Sequence, residues 1–241
     1  MKKIIEIKNL SLSFKSNNQE VFHALKDVNL DLYKGEILGI VGESGSGKSV
    51  TALSVLSLLP GNKITYSNKS SIKFEQKELL AADNALLNEI RGGKIGFIFQ
   101  EPMSSLNPLH KIGDQIAENI VLHQKLNIKQ AKEKTLELLD IVGIKDAQNR
   151  YNAYPFELSG GQRQRVMIAM AIANNPKVLI ADEPTTALDV TIQEQIINLL
   201  LDLKKRFEMS VIFISHDLQL VRKIADRIVV MHNGKIVEEN R

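Results

Sequence analysis

The chain is 241 residues long, 44% apolar and 24% charged, the balance of an ordinary globular protein with room for one large domain and an inserted subdomain. Its net charge is only +3, and Lys and Arg are interleaved with Asp and Glu, so no basic stripe argues for nucleic acid. It has no cysteine, which excludes disulfides, cysteine-held clusters and thiol chemistry and suits a reducing compartment.

Met1–Lys8 carries a short apolar run that Glu6, Lys8 and Asn9 interrupt too early for a signal peptide, so it reads as a first strand. Ser11–Phe14 also has strand character. Glu36–Val41 is a buried-strand candidate that runs into a glycine-rich loop, and Ser49–Leu59 reads as a helix stopped by Pro60-Gly61. Residues 61–95 are polar and irregular, with a strand expected at Ser71–Phe74 and a helix around Leu79–Ile90. Ile95–Gln100 is a further apolar strand. From Glu101 to about Gln164 strand signals vanish and helix-period stretches such as Ala131–Val142 take over. Lys125–Lys134, the densest basic run, reads as a solvated helix face. Val178–Ala181 restores a buried strand, and Ile192, Ile196, Leu199, Leu203 and Phe207 mark one face of a long helix. Val211–Ser215, Arg227–Met231 and Lys235–Glu239 are strands, the last two joined by the hairpin signal Asn233-Gly234. The alternation points to an α/β fold. No stretch approaches the roughly 18 apolar residues of a membrane span, so any membrane role is expected to run through a separate polypeptide.

Gly42-Glu43-Ser44-Gly45-Ser46-Gly47-Lys48-Ser49 fits G-x-x-x-x-G-K-[ST] between a predicted strand and a predicted helix. Glycines let successive N–H groups converge on phosphate oxygens, and the following helix adds its positive end. Lys48 is placed to reach the β- and γ-phosphates and Ser49 to ligate Mg²⁺. The alternative is a Gly/Ser-rich turn that happens to carry a lysine, which the strand and helix on either side disfavour. The expected nucleotide-binding residues are these eight and Val50.

Val178-Leu179-Ile180-Ala181-Asp182-Glu183 is an apolar strand ending in two carboxylates, which an open α/β sheet puts at its ligand edge. Asp182 suits the Mg²⁺ shell and Glu183 the polarising of an attacking water. Standing alone, the pair would read as acids opening a solvated loop. Beside a phosphate loop, the two supply the positioning and charge that phosphoryl transfer needs.

Downstream, Leu158-Ser159-Gly160-Gly161-Gln162, followed by Arg163-Gln164-Arg165, resembles the signature of ABC-type ATPases. The resemblance covers essentially the whole chain. It implies a P-loop NTPase fold with a RecA-like core sheet, an antiparallel β subdomain and an inserted α-helical subdomain. The expected division is a core of 1–100 and 165–241 with the helical insertion at 101–164. It also implies roles for single residues: Gln100 as a sensor touching Mg²⁺ and water, His216 as the switch that contacts the γ-phosphate, and Asp189 of Ala187-Leu188-Asp189 at the dimer seam. Ser159, Gly160, Gly161 and Gln162 would close on a nucleotide held by a second such domain. Glu183, His216, Gln100 and Lys48 form the implied catalytic set, and Ser49, Gln100 and Asp182 the implied metal set. Phe14 resembles the aromatic that stacks on adenine, although a plain strand residue with its ring in the core fits Ser11–Phe14 as well. Without the resemblance, a lone glutamine is uninformative and a histidine after a strand is as readily a satisfied polar residue.

Within the family, VGESGSGKSVTAL, IFQEPMSSLNPLH, YPFELSGGQRQRVMIAMA and IADEPTTALDVTIQEQI are similar to the ATPases of dipeptide, oligopeptide and nickel importers, and to the first half of tandem ATPases of the microcin C/oligopeptide type. That likeness implies ATP and Mg²⁺ as cofactors and a second ATPase domain as partner. It further implies integral-membrane permease subunits, an indirect solute-binding protein, and a place on the inner face of the cell membrane. Glu101–His110 becomes the expected docking segment for a permease helix, an irregular surface loop being the alternative. The group's usual tail with a His-Pro-Tyr-Thr-like segment does not occur before Arg241, as expected of a truncated piece, a short form or one half of a fusion. A non-transport ABC ATPase and a regulatory nucleotide-binding module are the competing functions. The first would be marked by basic arms or coiled-coil insertions, and the second by a degenerate acid site.

Overall fold

The structure, a computed structural model, describes residues 2–15, 21–60, 63–100 and 105–240. In chain order the strands and helices are β1 (Lys3–Lys15), β2 (Val21–Tyr33), β3 (Ile37–Val41), α1 (Lys48–Val55), β4 (Ile64–Tyr66), β5 (Ser71–Phe74), β6 (Lys77–Glu78), α2 (Asn84–Ile90) and β7 (Ile95–Ile98). They continue as α3 (Ile112–Gln124), α4 (Ile128–Ile141), α5 (Ala147–Arg150), α6 (Gly160–Ile172), β8 (Val178–Asp182), α7 (Val190–Arg206), β9 (Ser210–Ser215), α8 (Leu218–Ile224), β10 (Arg227–His232) and β11 (Lys235–Asn240). The chain divides into two compact units, Met1–Asn88 with Ser210–Arg241, and Glu89–Met209.

The first unit holds two kinds of strand pairing. β1 pairs antiparallel with β2, β4 and β5, and β5 with β6. β3 lies parallel to both β9 and β10, while β11 folds back antiparallel on β10 through the Asn233-Gly234 turn. Every residue of β3 and β9 is buried, as strands covered on both faces must be, so their sequences are continuous apolar runs.

The sequence reading has no strand at β2, and the reason is a pair of irregularities. Asn9 and Asp27 take positive φ, and the β1–β2 register shifts next to them. Buried Ala24 and Leu25 are adjacent, a gap follows at the Asp27 irregularity, and alternation resumes only at buried Val28, Leu30 and Leu32, so no single strand period runs through the segment. Smaller differences have local causes. α1 ends at Val55 rather than Leu59, because Ser57 adopts the left-handed conformation. α2 begins at Asn84 rather than Leu79, where the Asp83 carboxylate accepts the Leu86 N–H at 2.8 Å. α8 also escaped the sequence reading; its seven residues are too few to establish a period.

Arg227 ties the two kinds of pairing together inside this unit. Its guanidinium meets Glu36 at 2.7 Å and Glu239 at 2.6 Å and also donates to the Asp31 carbonyl. Burial works against its charge, and the two carboxylates more than offset that, raising its pKa.

In the second unit β7 and β8 pair in parallel, and α6 packs on β7. α3 and α4 pack on each other and on α6. The basic run 125–134 is split: Lys125 closes α3 in the left-handed conformation, and Asn127 opens α4 through a capping box with Gln130. α7 buries Ile196, Ile197, Leu200 and Leu203, with Leu199 turned partly outward.

A buried pair stripped of one member leaves an uncompensated charge. Arg227→Met is therefore expected to lower stability by roughly 3 kcal/mol. Urea denaturation of the variant beside the parent measures it, and an unchanged midpoint would contradict the coupling assigned to this residue.

Candidate functional site

β3 ends at Val41 and α1 starts at Lys48, leaving Gly42–Gly47 to turn the chain through a confined space. A Cβ on Gly42 would stand 2.2 Å from the Met231 carbonyl oxygen. Gly47 has φ of 106° and would put a Cβ 2.8 Å from Leu25 Cδ2. Gly42 needs glycine for space, against backbone, and Gly47 needs it for its left-handed φ, before any ligand is considered. The result is a loop whose backbone lies against the start of α1, where the first N–H groups of a helix have no intrahelical acceptor.

Two side chains give this loop its chemistry. The Lys48 ammonium, 5% exposed as a residue, donates to the carbonyls of Gly42 at 2.8 Å and Glu43 at 3.0 Å, so the cation sits over the loop. The Ser46 hydroxyl is buried and finds no hydrogen-bond partner among the described residues. A buried hydroxyl without a partner is costly unless something polar arrives to meet it. Glu43, Ser44 and Gly45 are exposed around it, and Ser49 and Val50 occupy the first turn of α1 half-buried.

Elsewhere in the first unit, Phe14 lies half-exposed on β1, opposite Phe22 of β2 and Ile64 of β4. Phe22 is itself 64% exposed, so two aromatic rings share this edge, and the second went unremarked in the sequence. His216 follows the last residue of β9 and is exposed. Next to it Asp217 caps α8, accepting the Gln219 and Leu220 N–H groups.

The second unit gathers the acids and the signature. Asp182 ends β8 and is buried. Glu183 turns the chain out of the strand with φ of 46°, and its Oε2 accepts from Gln100 Nε2 at 3.1 Å and from the Thr186 hydroxyl at 3.0 Å. The structure thus brings Gln100, Glu183 and Thr186 together. Thr186 is the member that sequence reasoning missed, and no spacing rule points to it.

Ser159 is the N-cap of α6. Its hydroxyl accepts the Gln162 N–H at 3.3 Å while Gln162 Oε1 accepts the Ser159 N–H at 3.0 Å, a reciprocal capping box. Asp189 does the same for α7, accepting the Ile192 N–H at 2.9 Å. The two helix starts touch. A Cβ on Gly161 would come within 2.9 Å of Ile192 Cγ2, whereas one on Gly160 would meet nothing nearer than Leu188 Cδ2 at an ordinary 3.6 Å. Ser159 and Gly160 are exposed. Among the described residues no close contact requires glycine at 160, and the capped start of α6 is exposed there.

Of the segment Glu101–His110, residues 101–104 lie outside the described residues. The remainder is anchored by Gln115, whose amide donates to the carbonyls of Asn107 and His110 and accepts the Asn107 N–H. Leu106 is buried and Leu109 is 81% exposed.

With this geometry in hand, the sequence pattern of the ABC transporter family matches residues 25–186. The chain belongs to the ABC transporter family. It is 51% identical over 236 residues to the oligopeptide transport ATP-binding protein OppD of Bacillus subtilis, covering 98% of this chain and 65% of that protein. With the dipeptide transport ATP-binding protein DppD of Haemophilus influenzae the identity is 49%, over 98% of this chain and 71% of the relative. The peptidoglycan transport ATP-binding protein YejF of Agrobacterium fabrum is 54% identical, but this chain spans only 43% of its length. Among solved structures, the ATP-binding cassette MJ0796, a dimer in a post-hydrolysis state bound to ADP and Pi, superposes with a TM-score of 0.86 at 31% identity over 98% of both chains. The fold is that of an ABC ATPase cassette, mixed α/β with antiparallel and parallel sheets.

The two kinds of glycine in this cassette separate by experiment. Gly47→Ala combines a left-handed φ with overpacking and is expected to cost roughly 2–4 kcal/mol. Gly160→Ala has room and is expected to stay within about 0.5 kcal/mol of the parent. Thermal unfolding of both variants checks this, and equal losses would contradict the distinction.

Proposed function

We propose that the chain is the nucleotide-binding part of an importer for peptide-like or nickel-type solutes, hydrolysing Mg-ATP at an interface between two cassettes. The observation that carries the reading is the loop at the start of α1, where a buried lysine cation and a buried hydroxyl without a partner stand beside a helix N-terminus. Identity of about half over nearly the whole chain to oligopeptide and dipeptide transport ATP-binding proteins supports the solute class.

In this reading Gly42–Ser49 and Val50 cradle the phosphates and Phe14 stacks on the base. No cluster of three or more His, Cys, Asp or Glu among the described residues could hold a metal ion. Magnesium keeps several waters and takes one or two protein groups plus substrate phosphates. Ser49, Asp182 and Gln100 would hold it, and the ion, when bound, neutralises charge on the β- and γ-phosphates. Glu183 receives the proton of the attacking water, and His216 holds the γ-phosphate in place. Ser159, Gly160, Gly161 and Gln162 meet the nucleotide of the second cassette, with Asp189 at the seam. An outward helix start whose Gly160 leaves space supports that assignment. The nucleotide core comprises 1–100 and 165–241, and 101–164 form the helical part facing the membrane subunits.

No helix among the described residues is long and apolar enough to cross a membrane. Likeness to oligopeptide and dipeptide transport ATP-binding proteins supports permease subunits as partners, docking near Glu101–His110, with a solute-binding protein acting through them and the chain at the inner face of the membrane.

Lys48→Ala is expected to abolish binding of a fluorescent ATP analogue, and unchanged affinity would overturn the loop assignment. Glu183→Gln keeps the shape of the site but removes the proton acceptor. It is expected to bind ATP like the parent while kcat falls on the order of 100-fold or more. Phosphate release at the parental rate would assign the base elsewhere.

A further inference from the structure

We infer that Thr186 is a positioning residue for the Glu183 carboxylate, an inference that rests on the reading of Glu183 as proton acceptor. In the step itself the water oxygen bonds to the γ-phosphorus. The bond from that phosphorus to the bridging oxygen breaks with its electron pair staying on ADP, and the proton of the water passes to a Glu183 carboxylate oxygen. Such a transfer requires the carboxylate to be held to within a fraction of an ångström.

Glu183 is poorly placed to hold itself. It leaves the end of β8 with φ of 46°, outside the rigid ladder that fixes Asp182. Its Oε2 accepts from the Gln100 amide at 3.1 Å and from the Thr186 hydroxyl at 3.0 Å. They are not equivalent. Gln100 comes from beyond the end of β7, and in the proposed cycle it leaves for the metal ion. Thr186 belongs to the same turn as the glutamate, and its own N–H donates to the Glu183 carbonyl at 3.2 Å. Backbone and hydroxyl together clamp Thr186 and Glu183 as one piece, so this donor stays when Gln100 moves. Thr186 is half-buried, which shields the bond from competing water.

The bond also selects between oxygens. A hydroxyl donating to Oε2 fixes the carboxylate plane and stabilises that oxygen's negative charge. The proton is then directed to the other oxygen in a defined orientation.

The test compares Thr186→Val, Thr186→Ser and Glu183→Gln with the parent in the full chain, measuring ATP hydrolysis, nucleotide affinity and thermal midpoint. Val replaces the hydroxyl by a methyl of similar shape, and Ser restores the donor. The expected result is a kcat lowered on the order of 10- to 100-fold in Thr186→Val, with KM and analogue affinity within about twofold of the parent, and recovery to within about threefold of parental kcat in Thr186→Ser. A role in packing alone would lower the midpoint and spare the split between kcat and KM. Parental kcat in Thr186→Val beside an inactive Glu183→Gln would overturn the inference and leave the base assignment standing. Equal loss in the Ser and Val variants would overturn it as well. Parental turnover in Glu183→Gln would remove the base itself, and the inference with it.

Discussion

A triphosphate is a dense negative charge stripped of much of its water, and the fold must supply convergent donors without adding side-chain bulk. In the proposed reading the loop Gly42–Gly47 meets that constraint by geometry. The Met231 carbonyl presses on Gly42 from β10, and the left-handed φ of Gly47 excludes larger residues there, so both positions take glycine. The backbone is driven into a turn that ends on the first amides of α1. Lys48 adds a cation held by the loop's own carbonyls, and Ser46 adds a buried hydroxyl with no hydrogen-bond partner among the described residues. Burial of both groups costs stability that binding an anion offsets.

The second unit is organised around helix starts rather than a loop. Ser159 and Asp189 cap α6 and α7, and the two ends interlock through Gly161 against Ile192. Capping consumes the Ser159 hydroxyl as an acceptor for Gln162, yet leaves its proton and the neighbouring amides available to an outside group. The turn Glu183–Thr186 lies between β8 and α7, so the carboxylate is held on the same stretch of chain that sets the start of α7. Acid, turn and helix cap are thus covalently close, which is an economical way to link a change at one to a change at the others.

Much of this was legible before the structure. The glycine loop between an apolar strand and a helix, the acids closing Val178–Asp182, and the α/β alternation all follow from local patterns with short physical explanations. β2 was not legible, because the irregularity at Asp27 interrupts its alternation: Ala24 and Leu25 are both buried, and the strand period resumes only from Val28 to Leu32. The Lys125–Lys134 run hid a helix boundary, since charge pattern alone does not mark the left-handed turn at Lys125. Thr186 was invisible for a different reason. Its significance lies in one hydroxyl-to-carboxylate distance, and threonines in turns are too common for their spacing to signal it. Ser46 shows a further limit: a motif places it in the loop, but only the structure shows that its buried hydroxyl has no partner among the described residues.

In the proposed cycle, triphosphate bound to one copy is completed by the serine-capped helix start of another cassette. Multi-angle light scattering of the full chain, with hydrolysis blocked at Glu183, tests it most directly. The account predicts monomers in buffer and with Mg-ADP, and dimers on addition of Mg-ATP that a charge-bearing substitution at Gly160 abolishes without loss of nucleotide affinity. Dimers that persist without nucleotide, or an ATP-loaded chain that stays monomeric at every concentration, would contradict it.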